Sequence, residues 1–377
     1  MSMRIAIIGC GVIGRVHAAS IEALAPRTEL ALTVDAIPER AQELAAPYGA
    51  EWTDSVADAL KRDDIDAVAV CTPSGRHADL TVAALDAGKH VFVEKPLDVN
   101  LEAARRVAEA QRRSGRTVSV VSQRRFDPAC SIVHQAVHSG RFGRVTSGTA
   151  DMAWWRSQSY YDSGDWRGTL DLDGGGALMN QGIHSIDLLL WMLGRPVEVF
   201  AWTDCLAHRD IEVEDTAVAT VRFASGALGV IHGTTAAYPG LTARVQVHGD
   251  RGSAVIDDDR LTYFHAAGDD ADGAPAYGAG EESNQAAQVL PPPATPAPSA
   301  AADPSALSGA HVEQYRDFVD AVEQGRPPLV TIAEATRTLA VICAVYESAR
   351  TGRPVAVEDL DTPSGDGVSA GPCDTVG

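Results

Sequence analysis

Short β-branched and aromatic runs alternate with helical stretches over residues 1–123. Alternation of this kind builds a parallel sheet with helices on both faces. Residues 1–123 are therefore predicted to form an α/β domain. Its predicted strands begin at Arg4 (RIAII), Glu29 (ELALTV), Asp66 (DAVAV), His90 (HVFV) and Thr117 (TVSVV).

The pattern changes after about Arg124, where a helical stretch and a strand from Val145 lead into an aromatic loop. A very apolar helix is predicted from about Ala177 to Leu193. Several strands then follow one another with short turns, which is typical of a mostly antiparallel sheet. Residues 124–360 are therefore predicted to form a second α/β domain. The strands after the apolar helix are EVFAW, TAVATVRF, ALGVIHGTT, ARVQVHG and SAVID.

Two segments lack the apolar residues that a packed core requires. Residues 266–308 are dense in Ala, Pro, Gly and Asp, with PPPATPAPSAAADP at the centre, and this composition predicts a flexible insertion. Two helices are predicted after it, HVEQYRDFVDAVEQG and the stretch from Ile332 to Arg350. Residues 361–377 are expected to form a disordered tail.

Composition limits the classes of function. Lys and Arg total 31 against 51 Asp and Glu, so the formal charge is 31 − 51 = −20, which argues against nucleic acid and anionic membrane surfaces as partners. The six cysteines are scattered and predict reduced thiols, with no metal site. The apolar run Ile5 to Ile8 is too short for a signal peptide core or a membrane span. We therefore expect a cytoplasmic protein without a membrane anchor.

A glycine motif directly follows the first predicted strand and opens a helix. In G-x-G-x-x-G the first glycine allows a tight turn, the second lets the backbone approach a pyrophosphate, and the third lets helix and strand pack closely. The helix N-terminus then faces the negative charge of the dinucleotide. The alternative is a simple glycine turn. The residues assigned to cofactor binding here are Gly9, Gly11, Val12, Ile13 and Gly14.

Asp35 ends the second predicted strand, 35 − 14 = 21 residues after the last glycine. A carboxylate at this place can accept hydrogen bonds from the adenosine ribose hydroxyls. It favours NAD over NADP, because a 2′-phosphate would meet a like charge. Arg40 has two interpretations: a partner for a 2′-phosphate, or an exposed helical arginine.

Further motifs follow the next predicted strands. Thr72 and Pro73 end the DAVAV strand, and His77 lies in the following helix. Because the carboxyl ends of parallel strands face the ligand in an open α/β sheet, we expect these three residues beside the cofactor. A Thr-Pro pair is equally typical of a helix start.

Glu94, Lys95 and Pro96 end the HVFV strand at the same edge. A lysine beside a cationic nicotinamide has its pKa lowered by the like charge, and can hydrogen-bond or deprotonate a substrate hydroxyl. A Glu-Lys pair alone is more often a solvated ion pair. We assign Glu94 and Lys95 to the cofactor site, and Lys95 also to substrate binding and catalysis.

The apolar helix from Ala177 to Leu193 carries a polar stripe, since Asn180, His184 and Asp187 recur at i, i+4 and i+7. A solvated face would carry Lys or Glu, whereas a lone histidine here would more often be a satisfied core residue. The three glycines from Gly174 allow a close approach to the helix start. With the E-K-P motif, the stripe indicates Asn180 and His184 as catalytic and substrate-binding residues.

Four motifs together resemble the family of glucose-fructose oxidoreductase, inositol 2-dehydrogenase and MocA, the Gfo/Idh/MocA family. The resemblance covers nearly the whole chain. It implies an N-terminal Rossmann domain, and a C-terminal domain with a large open sheet that packs against another subunit in a homodimer or homotetramer. It also implies hydride transfer, with Lys95 and His184 at the reaction centre. The motifs are GCGVIGRVH, CTPSGRH, VEKPL and GGGALMNQGIHSIDLLLW.

One position departs from the inositol dehydrogenase branch of that family, in which an acid precedes the histidine by four residues. This chain has Asn180 there. Asparagine can orient a ring by hydrogen bonding but cannot stabilise imidazolium by charge. The departure argues against the inositol-type proton relay, and asparagine occurs here among relatives that act on other sugars, some of them nucleotide-linked.

The loop from Trp154 to Asp173 is rich in aromatic residues and arginine. Aromatic rings stack on sugars, and arginine supplies planar donors to hydroxyls or carboxylates. Tyr160 and Arg167 are assigned to the substrate; the resemblance also implies that Trp166 and Arg167 lie near the nicotinamide. For Trp154 the preferred interpretation is that it holds the loop against the sheet.

Gln123 and Arg124 lie at the predicted domain junction, where ligands commonly bind. Gln123 is assigned to the cofactor and Arg124 to the substrate. The sequence thus predicts an NAD-dependent oxidoreductase that moves a hydride between nicotinamide and a secondary hydroxyl or keto group of a sugar or cyclitol. One alternative is a redox-neutral elimination through transient oxidation. The other is a non-catalytic sensor, against which Lys95 and His184 argue.

Overall fold

The computed structural model describes residues 2–268, 284–291 and 308–358 of the 377-residue chain. The first domain contains a sheet of six strands, all paired in parallel, in the order β3-β2-β1-β4-β5-β6. This order is that of the doubly wound Rossmann fold and confirms the predicted fold class. The strands are β1 (Met3–Ile8), β2 (Thr28–Val34), β3 (Glu51–Thr53), β4 (Ala67–Val70), β5 (His90–Val93) and β6 (Val118–Val120).

The helices between these strands follow local sequence signals. Asn100 accepts a hydrogen bond from the Ala103 backbone N–H and so caps its helix, which ends at Gly115 with φ of 65°. Strand β3 was not predicted, because three residues are too few to show a period. The helices are α1 (Val12–Glu22), α2 (Pro38–Ala45), α3 (Val56–Leu60), α4 (His77–Asp86) and α5 (Leu101–Ser114).

The second domain is built on an eight-stranded sheet in the order β13-β12-β11-β7-β10-β9-β8-β14. Only β7 and β10 pair in parallel, so the predicted mostly antiparallel sheet is confirmed. The strands are β7 (Val145–Ala153), β8 (Pro196–Asp204), β9 (Thr216–Phe223), β10 (Leu228–Thr234), β11 (Ala243–Gly249), β12 (Gly252–Asp257), β13 (Arg260–Ala266) and β14 (Val355–Ala356).

Among the described residues, helices cover one face of this sheet and leave the other open. The residues of β9 alternate between buried and exposed along the strand, because one face packs on the core. The described helices of this part of the chain are α6 (Pro128–His138), α7 (Gln158–Tyr161), α8 (Ile183–Leu193), α9 (Ala286–Val289), α10 (Ser308–Gln324) and α11 (Ile332–Thr351).

Helix α10 crosses the predicted domain boundary. The sequence places it in residues 124–360, but its buried Tyr315 and Phe318 belong to the same apolar cluster as Ile5 and Ile21 of the first domain. The C-terminal part of the chain therefore returns to cover the Rossmann sheet, which no local pattern around residue 123 reveals.

The predicted insertion at 266–308 is partly described. Asn284 Oδ1 accepts a hydrogen bond from the Phe264 backbone N–H, and the Gln285 N–H donates to the Phe264 carbonyl, so residues 284–291 are fastened to β13. Ala286 is buried. This segment contradicts the expectation that the whole insertion contributes no packing. Residues 269–283 and 292–307, and the predicted tail at 361–377, lie outside the described residues.

Across the described ranges, no helix has the length and apolar character that crossing a membrane requires. Of the six cysteines, the five that are described are free thiols, as predicted.

Candidate active site

A cleft of about 700 Å³ lies where the carboxyl ends of β1, β4 and β5 meet the second domain. It gathers side chains from both domains that are far apart in sequence. Of the predicted site residues, only Gly9 and Gly14 lie behind its surface. Those that line it are Gly11, Val12, Ile13, Asp35, Arg40, Thr72, Pro73, His77, Glu94, Lys95, Gln123, Arg124, Tyr160, Trp166, Arg167, Asn180 and His184.

The glycine turn has the geometry that its spacing predicts. A Cβ on Gly9, where φ is 99°, would lie 2.5 Å from the Cys71 carbonyl oxygen, and one on Gly14 would lie 2.3 Å from the Gly9 carbonyl oxygen. A Cβ on Gly11 would meet no atom within 4 Å. Two glycines therefore permit close packing, while Gly11 leaves space in front of the α1 N-terminus, which no side chain caps.

Asp35 is fixed beside this turn. Its Oδ2 accepts a hydrogen bond of 2.8 Å from the Cys10 N–H, and its Oδ1 accepts one of 2.9 Å from the Ile37 N–H. Each oxygen accepts one of these bonds and keeps further accepting capacity, and Asp35 lines the cleft. Arg40 is exposed on the same side of the cleft, a position that fits either interpretation of it.

His77 is buried, and both ring nitrogens are engaged. Nδ1 lies 2.7 Å from the Pro96 carbonyl oxygen and Nε2 lies 2.8 Å from the Thr72 carbonyl oxygen. The ring joins the loops that follow β4 and β5. The ring nitrogens of His77 thus position those loops, and its predicted contact with the cofactor, from its place on the cleft surface, stays a prediction.

Glu94 also positions neighbouring groups, and its predicted contact with the cofactor stays a prediction. Its Oε1 lies 2.8 Å from His17 Nε2, and its Oε2 accepts from the Lys95 N–H at 3.0 Å. His17 Nδ1 in turn lies 2.7 Å from the Tyr315 hydroxyl of α10. Burial opposes ionisation of Glu94, but the hydrogen bond and charge of His17, with the charge of Lys95, hold the pKa of the carboxyl below its usual range.

Lys95 is held by the start of the apolar helix. Its Nζ donates to the Asn180 carbonyl oxygen at 2.9 Å and lies 3.4 Å from Asn180 Oδ1. Asn180 Nδ2 donates to Asp173 Oδ1 at 2.7 Å, and Asp173 Oδ2 accepts from the Gly168 N–H. Burial lowers the pKa of Lys95 and the charge of Arg167 lowers it further, against the opposing charges of Glu94 and Asp173.

His184 lines the same cleft as Lys95, although 184 − 95 = 89 positions separate them. Burial, reinforced by the charges of Lys95 and Arg124, holds the pKa of the imidazole well below its usual value. The ring makes no hydrogen bond with any described group, so both nitrogens remain available to a ligand.

The predicted polar stripe breaks at residue 182. Ala177–Gly182 form a π-helical turn, and the α-helix begins at Ile183, so the i, i+4, i+7 argument does not hold. Asn180 and His184 reach the cleft, whereas Asp187 bonds Arg125 in the core. Asn180 bonds Lys95 and Asp173 rather than the His184 ring.

The glycines before this turn allow the close approach that the sequence predicts. A Cβ on Gly176 would lie 1.8 Å from the Glu214 carbonyl oxygen, and one on Gly174 would lie 2.4 Å from a Val99 methyl group. The Glu214 carboxylate accepts from the N–H groups of Gly176 and Leu178, each at 2.8 Å. These contacts fix the start of the π-helical turn, and with it Asn180.

Sequence reasoning missed several residues that shape the site. His17 lies in the motif GCGVIGRVH, three positions after Gly14. Its place in this motif is the only feature of the sequence that links it to the site. Arg156 belongs to the aromatic loop and Gln181 to the predicted apolar helix, but neither was assigned to the site, and Asp173 shows no spacing that distinguishes it from an ordinary loop residue. Trp154 is buried, as predicted for a residue that holds the loop.

Two buried polar atoms of cleft residues bear on whether these residues could bind a dinucleotide. Thr72 Oγ1 and Gln123 Oε1 have no hydrogen-bond partner, although buried polar atoms are usually bonded. Together with the space over Gly11 and the bonded carboxylate of Asp35, they form a set of donors and acceptors suited to a bound dinucleotide.

Two family models match this chain. Residues 3–122 match the model of an oxidoreductase family with an NAD-binding Rossmann fold. Residues 131–255 match the model of the GFO/IDH/MocA C-terminal domain. The two matches fall on the two sheets.

Individual relatives agree with the models. The chain is 26% identical to scyllo-inositol 2-dehydrogenase (NAD(+)) of Bacillus subtilis, over 94% of this chain and 96% of that protein. It is 32% identical to inositol 2-dehydrogenase of Rhizobium meliloti, over 69% of this chain and 77% of that protein. The structure of the WlbA dehydrogenase from Bordetella pertussis with NADH and UDP-GlcNAcA superposes with a TM-score of 0.80, at 31% identity, covering 95% of this chain and 99% of that one.

Proposed function

The chain belongs to the GFO/IDH/MocA family of NAD-binding oxidoreductases, and from this membership we propose that it transfers a hydride between nicotinamide and a secondary hydroxyl or keto group of a sugar or cyclitol. The observation that carries the proposal is the meeting of Lys95 and His184 in the cleft beside the glycine turn. The relatives named for inositol and for a sugar nucleotide support the substrate class.

A dinucleotide held at the glycine turn and Asp35 would supply the nicotinamide that accepts the hydride in oxidation and donates it in reduction. Lys95 is held in one place by the Asn180 carbonyl oxygen, and its lowered pKa lets the neutral amine form at lower pH than an exposed lysine would. The amine accepts the proton of the substrate hydroxyl during oxidation. His184, kept neutral by its lowered pKa, hydrogen-bonds the same oxygen and orients it.

The test is a panel of sugars and cyclitols incubated with NAD while NADH absorbance is followed. NADH that accumulates in step with product supports net oxidation. Absence of NADH formation across free and nucleotide-linked sugars and cyclitols would contradict the proposed function.

Replacing Asp35 with Ala is expected to narrow the preference for NAD over NADP by about tenfold or more, because a charge-assisted hydrogen bond to the ribose is lost together with the repulsion of a 2′-phosphate. The ratio of kcat/KM for the two cofactors measures the effect. Equal use of both cofactors by the unmodified protein would contradict this role of Asp35.

Replacing Asn180 with Asp is expected to move the acidic limb of the pH profile for oxidation to higher pH. A carboxylate at position 180 would lie 3.4 Å from Lys95 Nζ and 2.7 Å from Asp173 Oδ1, so the two carboxyl groups share one proton at low pH. Once both have ionised, the added charge favours the ammonium form and raises the pKa of Lys95. Since oxidation needs the neutral amine, a higher pH is then required. The measurement is kcat against pH with saturating substrate.

Asp173→Asn is the matched variant, for which we expect a shift of the pH profile in the opposite direction. The charge of Asp173 raises the pKa of Lys95, so removing it with a side chain of equal size should move the same limb to lower pH. If neither substitution moves the limb, a group other than Lys95 is the titrating base.

We also propose that the open face of the second sheet joins subunits in a homodimer or homotetramer. Trp202 on β8 lies directly opposite Val218 on β9, and the side chains of Leu228 and Val230 are exposed on β10. Exposed apolar side chains grouped on adjacent strands are typical of a protein interface. The free thiols of the described cysteines fit the reducing environment of the cytoplasm, where we place the protein.

A further inference from the structure

Three arginines and three aromatic rings alternate along one wall of the cleft. The guanidinium carbons of Arg124 and Arg156 lie 5.9 and 5.2 Å from the ring centroid of Trp154. The guanidinium carbons of Arg156 and Arg167 lie 5.4 and 4.2 Å from the ring centroid of Tyr160. The guanidinium carbon of Arg167 also lies 4.5 Å from the ring centroid of Trp166. The rings therefore hold the three cations in one row that reaches the part of the cleft containing Lys95.

The charge of this wall differs from that of the whole protein, which carries a net charge of −20. Lys95 and the three arginines line the cleft together with three described carboxylates, Asp35, Glu43 and Glu94. Asp35 lies beside the glycine turn, Glu43 pairs with Arg15 of α1, and Glu94 is engaged with His17. Arg124 has Asp259 at 3.1 Å. No described carboxylate lies within ion-pair distance of Arg167. A locally positive wall in a strongly acidic protein attracts an anionic ligand.

Hydrogen bonds fix two of the guanidinium groups before a ligand arrives. Arg167 donates to the Tyr160 hydroxyl at 2.5 Å, and Gln181 Nε2 donates to the same hydroxyl at 2.8 Å. Arg156 donates to Gln181 Oε1 at 3.3 Å and to the Trp155 carbonyl oxygen at 3.1 Å. Gln181 follows Asn180, which holds Lys95, so consecutive residues set the distance between the cationic row and the reacting lysine. Preorganised donors cost less to bind a ligand than mobile ones.

We propose that the substrate is an anionic sugar, whose charged oxygens bind Arg156 and Arg167 while its reacting hydroxyl meets Lys95 and His184. The carboxylate of a sugar acid and the diphosphate of a sugar nucleotide share this chemistry, since planar guanidinium groups bind both through paired hydrogen bonds. The inference rests on the proposed function and narrows its substrate class.

Calorimetric titration of the protein saturated with NADH tests the inference with matched ligands. The first pair is glucuronate and glucuronamide, which differ in charge but have nearly the same shape. Galacturonate and galacturonamide repeat this comparison with the epimeric sugar. The second pair is UDP-glucose and glucose. We expect the charged member of at least one pair to bind about 10- to 100-fold more tightly. Preference within the first pair identifies a sugar acid. Preference within the second pair alone identifies a diphosphate when Arg156→Gln and Arg167→Gln abolish it; if they leave it unchanged, the protein recognises the uridine and the inference is wrong.

Arg156→Gln and Arg167→Gln are expected to abolish that preference, whereas Arg350→Gln, an exposed arginine at the end of α11, should leave it unchanged. NADH affinity, measured by fluorescence, should stay constant in Arg156→Gln. Three results would overturn the inference: equal binding within every pair, equal weakening of charged and neutral ligands in the variants, or loss of NADH affinity in Arg156→Gln. Binding of a charged sugar without NADH formation from any sugar would instead contradict the proposed function alone.

Discussion

Turnover is expected to fall by about 10² to 10⁴ when Lys95 is replaced by Met or His184 by Ala, the usual contribution of a general acid or base. Both side chains line the cleft beside the glycine turn, and both have lowered pKa values because they are buried near other cations. Lys95→Met removes the amine and keeps an apolar chain of similar length, so the loss reports on the proton transfer. The measurement is kcat on the substrate identified in the sugar panel.

Two exposed residues provide matched controls for these substitutions. Lys61 forms a surface ion pair with Asp58, and His138 lies exposed at the end of α6, so Lys61→Met and His138→Ala should leave kcat unchanged. NAD affinity should also remain nearly constant in Lys95→Met and His184→Ala. If neither of these two substitutions lowers kcat, the proposed catalytic roles are wrong, while the assignment of the fold and cofactor still holds.

The fold was predictable where a local pattern determines the structure. Strands β9 and β11 were predicted at their observed bounds, since β9 alternates buried and exposed residues and short turns flank both. Strand β3 and the return of α10 onto the first domain were not predicted. The first has three residues, and the second depends on Tyr315 meeting the distant His17 and Phe92.

The site residues were predictable where they belong to a recognisable sequence motif. Lys95, Asn180 and His184 lie together in the cleft as predicted. The π-helical turn at Ala177–Gly182 changes the face of Asn180 relative to His184, and hydrophobic periodicity does not reveal an extra residue in a turn. Asp187 follows His184 by three residues in the same α-helix, and its place in the core depends on its bonds with the distant Arg125. Arg156 is one of the arginines of the aromatic loop but was not assigned to the site, because its position depends on contacts with Trp154, Tyr160 and Gln181.

The corrected position of Asp187 leads to a second large expected effect. Asp187 and Arg125 are both buried, and the guanidinium donates to Asp187 Oδ1 at 2.7 Å and to Oδ2 at 2.8 Å. Ser122 and Thr338 donate to the same carboxylate. The pair joins α8, which carries His184, to the turn after β6 and to α11, so it fastens the reaction centre between the two domains.

Asp187→Ala is expected to lower the free energy of unfolding by about 3 kcal/mol, because removing one partner leaves the other charge buried. Glu334, which bonds Arg125 at 2.7 Å from a more exposed position, keeps the loss at the lower end of the range for such pairs. Denaturant titration measures the change. As the matched control, Asp86→Ala breaks only the exposed pair with Arg113 and should cost less than about 1 kcal/mol. Equal losses in the two variants would mean that the buried pair does not fasten α8 to the core.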